Sequence, residues 1–232
     1  IRVLLADDHT VLRQGLRALL AAEPDIEIAG EAETGRNAIQ LARKLRPDVI
    51  VMDIAMPLLN GLQATRQLTS ELPATRVIVL SSYNDDEYVE RLTEAGAVGY
   101  LIKSTAALDL VKAVREASQG NAYFSPTISR RLIDCYRRAF ASGQPVRKST
   151  ETLTARESEV LQLIAEGGSN KQIAAELCIS IKTVEKHRQQ VMDKLNIHDI
   201  AGLTRYAISK GMIESLPRVA TTDVALAGGA ST

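Results

Sequence analysis

The chain has no tryptophan and only two phenylalanines, and aromatic residues make up 3% of its 232 positions. So thin an aromatic supply excludes a protein that grips single-stranded nucleic acid by stacking bases on ring faces. Cysteine is nearly absent as well. Cys135 and Cys178 stand apart, without the spacing of a zinc site or a disulfide framework, and suit packing residues in a reducing cytoplasm. No apolar run approaches the roughly 20 residues of a membrane span, and no secretory h-region follows Ile1, so a cytoplasmic protein with no membrane partner is expected. Net charge is missing too, with 28 basic against 28 acidic residues. The balance is uneven along the chain: residues 1–118 carry 13 Lys and Arg against 17 Asp and Glu, residues 119–150 carry 6 against 1, and residues 151–232 carry 9 against 10. A role on nucleic acid therefore has to be argued from where basic side chains point, not from overall charge.

What is present is a series of short apolar runs that end in chemistry. Val3-Leu4-Leu5-Ala6 runs into Asp7-Asp8, and Val49-Ile50-Val51-Met52 into Asp53. Val77-Ile78-Val79-Leu80 ends in Ser81, and Gly99-Tyr100-Leu101-Ile102 in Lys103. Strands are expected near 2–6, 26–32, 48–52, 76–80 and 99–101, alternating with helices near 9–22, 34–45, 60–71, 85–95 and 105–118. That alternation is the βαβ signature of a parallel sheet, whose ligands bind outside the carboxyl ends of the strands.

Carboxylates gathered at one sheet edge repel each other and lose water at a cost, which a hard cation offsets. Mg²⁺ takes oxygen ligands and bridges to phosphates, so it is the expected ion. A hydroxyl and an ammonium beside it complete a cradle for a phosphoryl group, with Asp53 as nucleophile. Singly, each residue has a plainer use: Asp7 and Asp8 as helix caps, Ser81 in a turn, Lys103 as a solvated amine. Their occurrence together, in order, at four strand ends carries the specificity. A phosphohydrolase with an aspartate nucleophile would need a second acid two residues on, where Ala55 stands, and no Gly-rich nucleotide fingerprint follows Val3 to Ala6.

Residues 1–118 thus resemble the receiver domain of two-component response regulators. The resemblance implies a flavodoxin-like (βα)5 fold phosphorylated on one aspartate by a sensor histidine kinase. It makes Asp8 and Asp53 the Mg²⁺ ligands with Asp7 in support, the backbone carbonyl of Ala55 a further ligand, and Asp53 the phosphoacceptor. Ser81 and Lys103 would hold the phosphoryl group, and Tyr100 would turn inward as the switch, reshaping a face that includes Tyr88 and Val98. Met56-Pro57 and Asn60-Gly61 fit the loop after the acceptor, where Gly61 is expected to relieve backbone strain. Ala55 and Tyr83 would tune how readily water reaches the acyl phosphate. Ser104 stands where many receivers have proline.

From residue 119 the pattern becomes helical. Gly120-Asn121 and Ser142-Gly143-Gln144-Pro145 bracket a linker, 119–150, whose helix after Ser125-Pro126 carries Arg130, Arg131, Arg137 and Arg138. Beyond it, Thr154 to Glu157 and Ser169 to Gln172 have the form of capping boxes, and Ser180 can cap a third helix in which Val184, Val191 and Leu195 recur on one face. Lys182, Lys186 and Gln189 lie on the other face. A helix-turn-helix, whose second helix enters the DNA major groove, has this layout, although by pattern alone an ordinary helical hairpin fits equally.

The segments Leu153-Thr154-Ala155-Arg156-Glu157, Ser169 to Ala174 and Lys182 to Arg188 resemble the LuxR-type DNA-binding domain, assigned to 151–216 and followed by a small, polar, disordered tail, 217–232. Together the halves are similar to NarL/FixJ-class response regulators, transcription regulators and not metabolic enzymes. DNA contacts are expected from Asn170, Lys171, Lys182, Thr183, Lys186, Arg188 and Gln189, the lysines and glutamine suiting base edges and the helix starts suiting phosphates. His187 is expected to pack. The resemblance implies homodimerisation on phosphorylation, with Ile200, Leu203 and Thr204 pairing two DNA-binding domains on an operator, and RNA polymerase as a further candidate partner.

Overall fold

A computed structural model describes residues 1–82, 91–126, 128–130, 133, 134, 137 and 153–213. Tyr83, Tyr88, most of the helix expected over 85–95, Arg131, Cys135, Arg138, the 142–145 segment and the tail from 217 lie outside the described residues.

The first unit is a parallel sheet built from β1 (Arg2–Ala6), β2 (Glu27–Ala32), β3 (Val49–Asp53), β4 (Arg76–Ser81), β5 (Gly99–Ile102) and β6 (Tyr123–Phe124), in the order β2-β1-β3-β4-β5-β6. Because side chains alternate across a strand, the continuous apolar runs feed both faces. Leu4, Ile50, Met52 and Val79 join Ile39 and Leu68 on one side, where α2 (Gly35–Leu45) and α3 (Gly61–Glu71) pack. Val3, Leu5, Val51 and Leu80 join Leu16, Leu20, Leu110 and Val114 on the other, under α1 (Thr10–Ala21) and α4 (Ala106–Ser118).

β6 was not expected from the sequence, which places these residues in the linker. Tyr123 N–H donates to the Val98 carbonyl and Ser125 N–H to that of Tyr100, extending the sheet past β5. Ile128 follows, fully buried in the same core as Tyr100. The beginning of the linker is therefore packed onto the receiver.

The second unit is four helices, α5 (Ala155–Ala165), α6 (Asn170–Glu176), α7 (Ile181–Leu195) and α8 (Ile200–Ser209). Both capping boxes form, Thr154 with Glu157 and Ser169 with Gln172, and Ser180 accepts from Thr183 N–H. These caps satisfy helix-start N–H groups that have no partner within the helix. Val160, Leu161, Ile173, Val184, Val191 and Leu203 make the core. No helix among the described residues is long and apolar enough to cross a membrane.

Candidate phosphoacceptor site and nucleic-acid interface

Parallel pairing sets the site. Asp7 directly follows β1 and Asp53 closes β3, the two strands being neighbours, while Ser81 closes β4 opposite Ile102, the residue before Lys103. Lys103 Nζ reaches Asp53 Oδ2 at 2.8 Å and Asp7 Oδ2 at 3.1 Å. Asp53 Oδ1 accepts from its neighbour Ile54 N–H at 2.7 Å. Burial pushes the Asp53 carboxyl up to about 6; Lys103 opposes the rise, and the charges of Asp7 and Asp8 add to it. Burial works against the Lys103 ammonium, yet Asp53 and Asp7 hold its pKa above the usual lysine value.

The donor set suits a hard divalent cation. Ligand atoms of Asp7, Asp8, His9 and Asp53 lie within 4.8 Å of one another, and the buried oxygens Asp7 Oδ2 and Asp53 Oδ2 share one ammonium, Lys103, while Asp8 Oδ1 faces His9 Nδ1. Receiver domains generally bind Mg²⁺ at this acidic pocket, and these oxygens match its ligand preference. Ala55, whose carbonyl is the expected further ligand, is buried in the loop just after Asp53.

Four findings alter or extend the sequence reading. His9, unremarked from sequence, sets Nδ1 at 2.8 Å from Asp8 Oδ1, and its signal was simply its place after two aspartates. Arg13, buried one turn along α1, donates to the Asp7 carbonyl at 2.7 Å and pairs with Glu31 and Glu33, bracing the acidic turn. Gly61 does not take a left-handed backbone, so the expected strain relief is corrected. A Cβ there would lie 1.9 Å from the Asp53 carbonyl oxygen, and glycine is required by close approach. Tyr100 is already inward, 1% exposed, with β6 alongside β5 and Ile128 in the same core, so an inward turn does not begin from an exposed ring.

The loop from Ile54 to Asn60 meets the helical unit. Gln162, on α5 and fully buried, accepts from Asn60 N–H and Nδ2 at 2.9 and 3.0 Å and donates to the Met56 carbonyl at 2.8 Å. Glu166 accepts from Leu58 N–H at 3.1 Å, and Leu58 packs on the helical core. Arg36 faces Glu176 and Glu159 across the same boundary.

On the helix-turn-helix, Lys182, Lys186, Gln189 and Lys171 are exposed, whereas Asn170, Thr183 and Arg188 are half-buried. Gln189 Nε2 donates to Asp193 one turn on, and Thr183 Oγ1 lies 2.9 Å from Ser180 Oγ. His187 is half-buried. On α8, Ile200 is 55% exposed and Thr204 half-buried, but Leu203 is 0% exposed in the domain's own core.

Comparison with known proteins agrees with this geometry. The family described as "Response regulator receiver domain" matches residues 3–115, and "Bacterial regulatory proteins, luxR family" matches residues 151–207. The transcriptional regulatory protein LiaR of Bacillus subtilis is 42% identical over 207 residues, 89% of this chain and 96% of that one. The transcriptional regulatory protein DegU of Brevibacillus brevis is 39% identical over 225 residues, 92% of this chain and 95% of that one. Among solved structures, RcsB of Salmonella enterica serovar Typhimurium, bound to promoter rprA in the presence of the phosphomimetic BeF3⁻, shares 28% identity. It covers 89% of this chain and 97% of its own with a TM-score of 0.58. With a receiver sheet that gathers three aspartates and a lysine at one edge, and a capped helix-turn-helix behind it, the chain belongs to the two-component response regulators of the NarL/LuxR class.

Proposed function

We propose that a sensor histidine kinase phosphorylates Asp53, and that the phosphorylated protein dimerises and binds operator DNA specifically to control transcription. The observation that supports this most directly is the meeting of Asp53, Asp7 and Lys103 within salt-bridge distance at the carboxyl edge of the sheet.

In the transfer, the donor's P–N bond breaks as an O–P bond forms to an Asp53 carboxylate oxygen. Asp8, Asp53 and the Ala55 carbonyl, supported by Asp7, would hold Mg²⁺, which when bound neutralises phosphoryl oxygens. Asp53 and Asp7 favour the charged form of Lys103, which supplies a second cation; Ser81, buried at the end of β4, supplies a hydroxyl donor. The new charge biases a two-state equilibrium, and moving one from mostly off to mostly on takes about 5.5 kcal/mol of differential stabilisation. On DNA, Lys182, Lys186 and Gln189 read base edges while Asn170, Lys171, Thr183 and Arg188 hold the backbone. Ile200 and Thr204 pair the two domains from the surface of α8, with Leu203 supporting them from beneath.

The test is incubation with acetyl phosphate and Mg²⁺ followed by intact-mass measurement. The chain should gain one phosphoryl group and Asp53→Asn none. Phosphorylation of the Asn variant to the same extent overturns the acceptor assignment.

A further inference from the structure

The contact between the helical unit and the receiver leaves the DNA-facing side chains in the open. Lys182, Lys186 and Gln189 are exposed while α5 is docked. What the contact holds instead is the loop directly after the acceptor. Between Ile54 and Asn60 the loop is pinned at its far end by Gly61 N–H donating to the Ile54 carbonyl at 2.8 Å, with Gly61 against the Asp53 carbonyl. Its middle is held from outside. Gln162 takes the Met56 carbonyl and both N–H donors of Asn60, and Asn60 at the same time caps α3 through Oδ1.

Leu58 supplies an independent observation. It has φ of 67°, a left-handed backbone that a leucine adopts only when its surroundings impose it. Leu58 is the centre of a tight turn that Leu59 N–H closes on the Pro57 carbonyl at 2.8 Å, and the other domain holds that turn from outside, with the Glu166 carboxylate on the Leu58 N–H and the helical core against its side chain. Undocking α5 removes both outside contacts and leaves the turn's own hydrogen bond to hold that backbone.

We propose that Gln162 and Glu166 of the DNA-binding domain are positioning residues for phosphoryl acceptance, holding the Ile54 to Asn60 loop in a conformation that resists it. Asp53 Oδ1 now accepts the Ile54 N–H, and one Asp53 oxygen must become the bridging oxygen of the acyl phosphate. The start of the loop, including the Ala55 carbonyl, then has to re-aim around the new group. A loop pinned at Met56, Leu58 and Asn60 re-aims at a cost, and a released one does so freely. By linkage, whatever loads Asp53 also loosens α5.

The inference rests on Asp53 being the acceptor and is tested on the full chain with acetyl phosphate and Mg²⁺, following the initial rate of phosphoryl incorporation by intact mass. Gln162→Ala should accelerate incorporation roughly five- to tenfold, and Glu166→Ala should act in the same direction. Glu185→Ala, at an exposed position of the same domain, should leave the rate unchanged. Hydrogen exchange at the Leu58 and Asn60 amides should quicken in the two loop-facing variants. A side chain that only stabilises the fold would not speed a reaction when removed. If Gln162→Ala fails to fold, Glu166→Ala decides. Unchanged or slower incorporation in a folded variant overturns the positioning role, whereas absence of incorporation in the unmodified chain overturns the acceptor reading itself.

Discussion

Lys103 Nζ lies 2.8 Å from Asp53 Oδ2, so a single ammonium stands against the Asp53 carboxylate in a pocket where Asp7 and Asp8 add like charge. The pocket is thus short of positive charge without a divalent cation. Asp53→Asn should raise stability in metal-free buffer at neutral pH by roughly 2 kcal/mol. That is less than the displacement from 3.8 to about 6 corresponds to, because Lys103 loses a partner. The sign follows from a carboxyl raised on folding: its penalty is present above about 6 and absent below 3.8, where the group is protonated folded or unfolded. Mg²⁺ should raise the Tm of the unmodified chain more than that of the variant. Equal stability of the two proteins in metal-free buffer at neutral pH would contradict this account.

Gly61→Ala should be costly although its backbone is ordinary. The added methyl meets the Asp53 carbonyl at 1.9 Å, and moving it aside displaces the strand end that carries Asp53. A loss of about 1–3 kcal/mol by denaturant unfolding is expected, together with slower phosphorylation. Alanine tolerated without loss would show that the loop yields easily.

Lys186 and Lys171 should separate in a salt titration of DNA affinity. Lys186, mid-face on α7, should cost about 1–3 kcal/mol on the cognate site when changed to Ala and relax base preference there. Lys171, at the start of α6, should weaken all sequences alike and reduce the salt slope by about 1. Equal losses on cognate and scrambled DNA for Lys186→Ala would remove its base-reading role.

On α8, neighbouring apolar residues should behave differently. Leu203→Ala empties a fully buried position and should destabilise the domain by about 2–5 kcal/mol. Ile200→Lys, on the surface, should leave Tm nearly unchanged but weaken binding to DNA with two half-sites more than to DNA with one. If half-site number makes no difference, the pairing surface lies elsewhere.

Glu157 gives a test by pH. Burial pushes its carboxyl up, but Lys194 at 2.7 Å and the Thr154 N–H outweigh this and hold it below 4.5. A carboxyl lowered on folding contributes stability above its unfolded value and loses it as pH falls through the folded one. Glu157→Gln keeps the capping geometry and should cost about 1 kcal/mol at neutral pH. The difference should close on acidification below 4.5. A gap independent of pH would assign the loss to packing.

Much of this was legible in the sequence for physical reasons. Strands buried on both faces have to be apolar throughout, so the runs ending at Ala6, Met52, Leu80 and Ile102 announced themselves, and the residue just past each run had to lie at the site. Capping requires particular residues at particular spacing, so Thr154 with Glu157 and Ser169 with Gln172 were also readable. β6 was not, because a strand of two residues, Tyr123-Phe124, carries no periodicity, and its pairing depends on the free edge of β5. The inward position of Leu203 was hidden because α8 has apolar residues on more than one side. Gln162 did leave a trace: it is polar within Val160-Leu161-Gln162-Leu163-Ile164, yet only the fold reveals that its partner is a loop a hundred residues upstream.

The sixth strand also decides where the receiver can be cut. A fragment ending at Ser118 would strip Tyr123 and Phe124 from β5, expose a row of ungripped amides and carbonyls, and leave a hole where Ile128 fills the core beside Tyr100. Open edges invite other chains to pair with them. Such a truncation should self-associate, whereas one ending near Arg130 should stay monomeric. The working boundary of the domain falls about a dozen residues past the last helix of the alternating pattern, inside what composition alone marks as a tether.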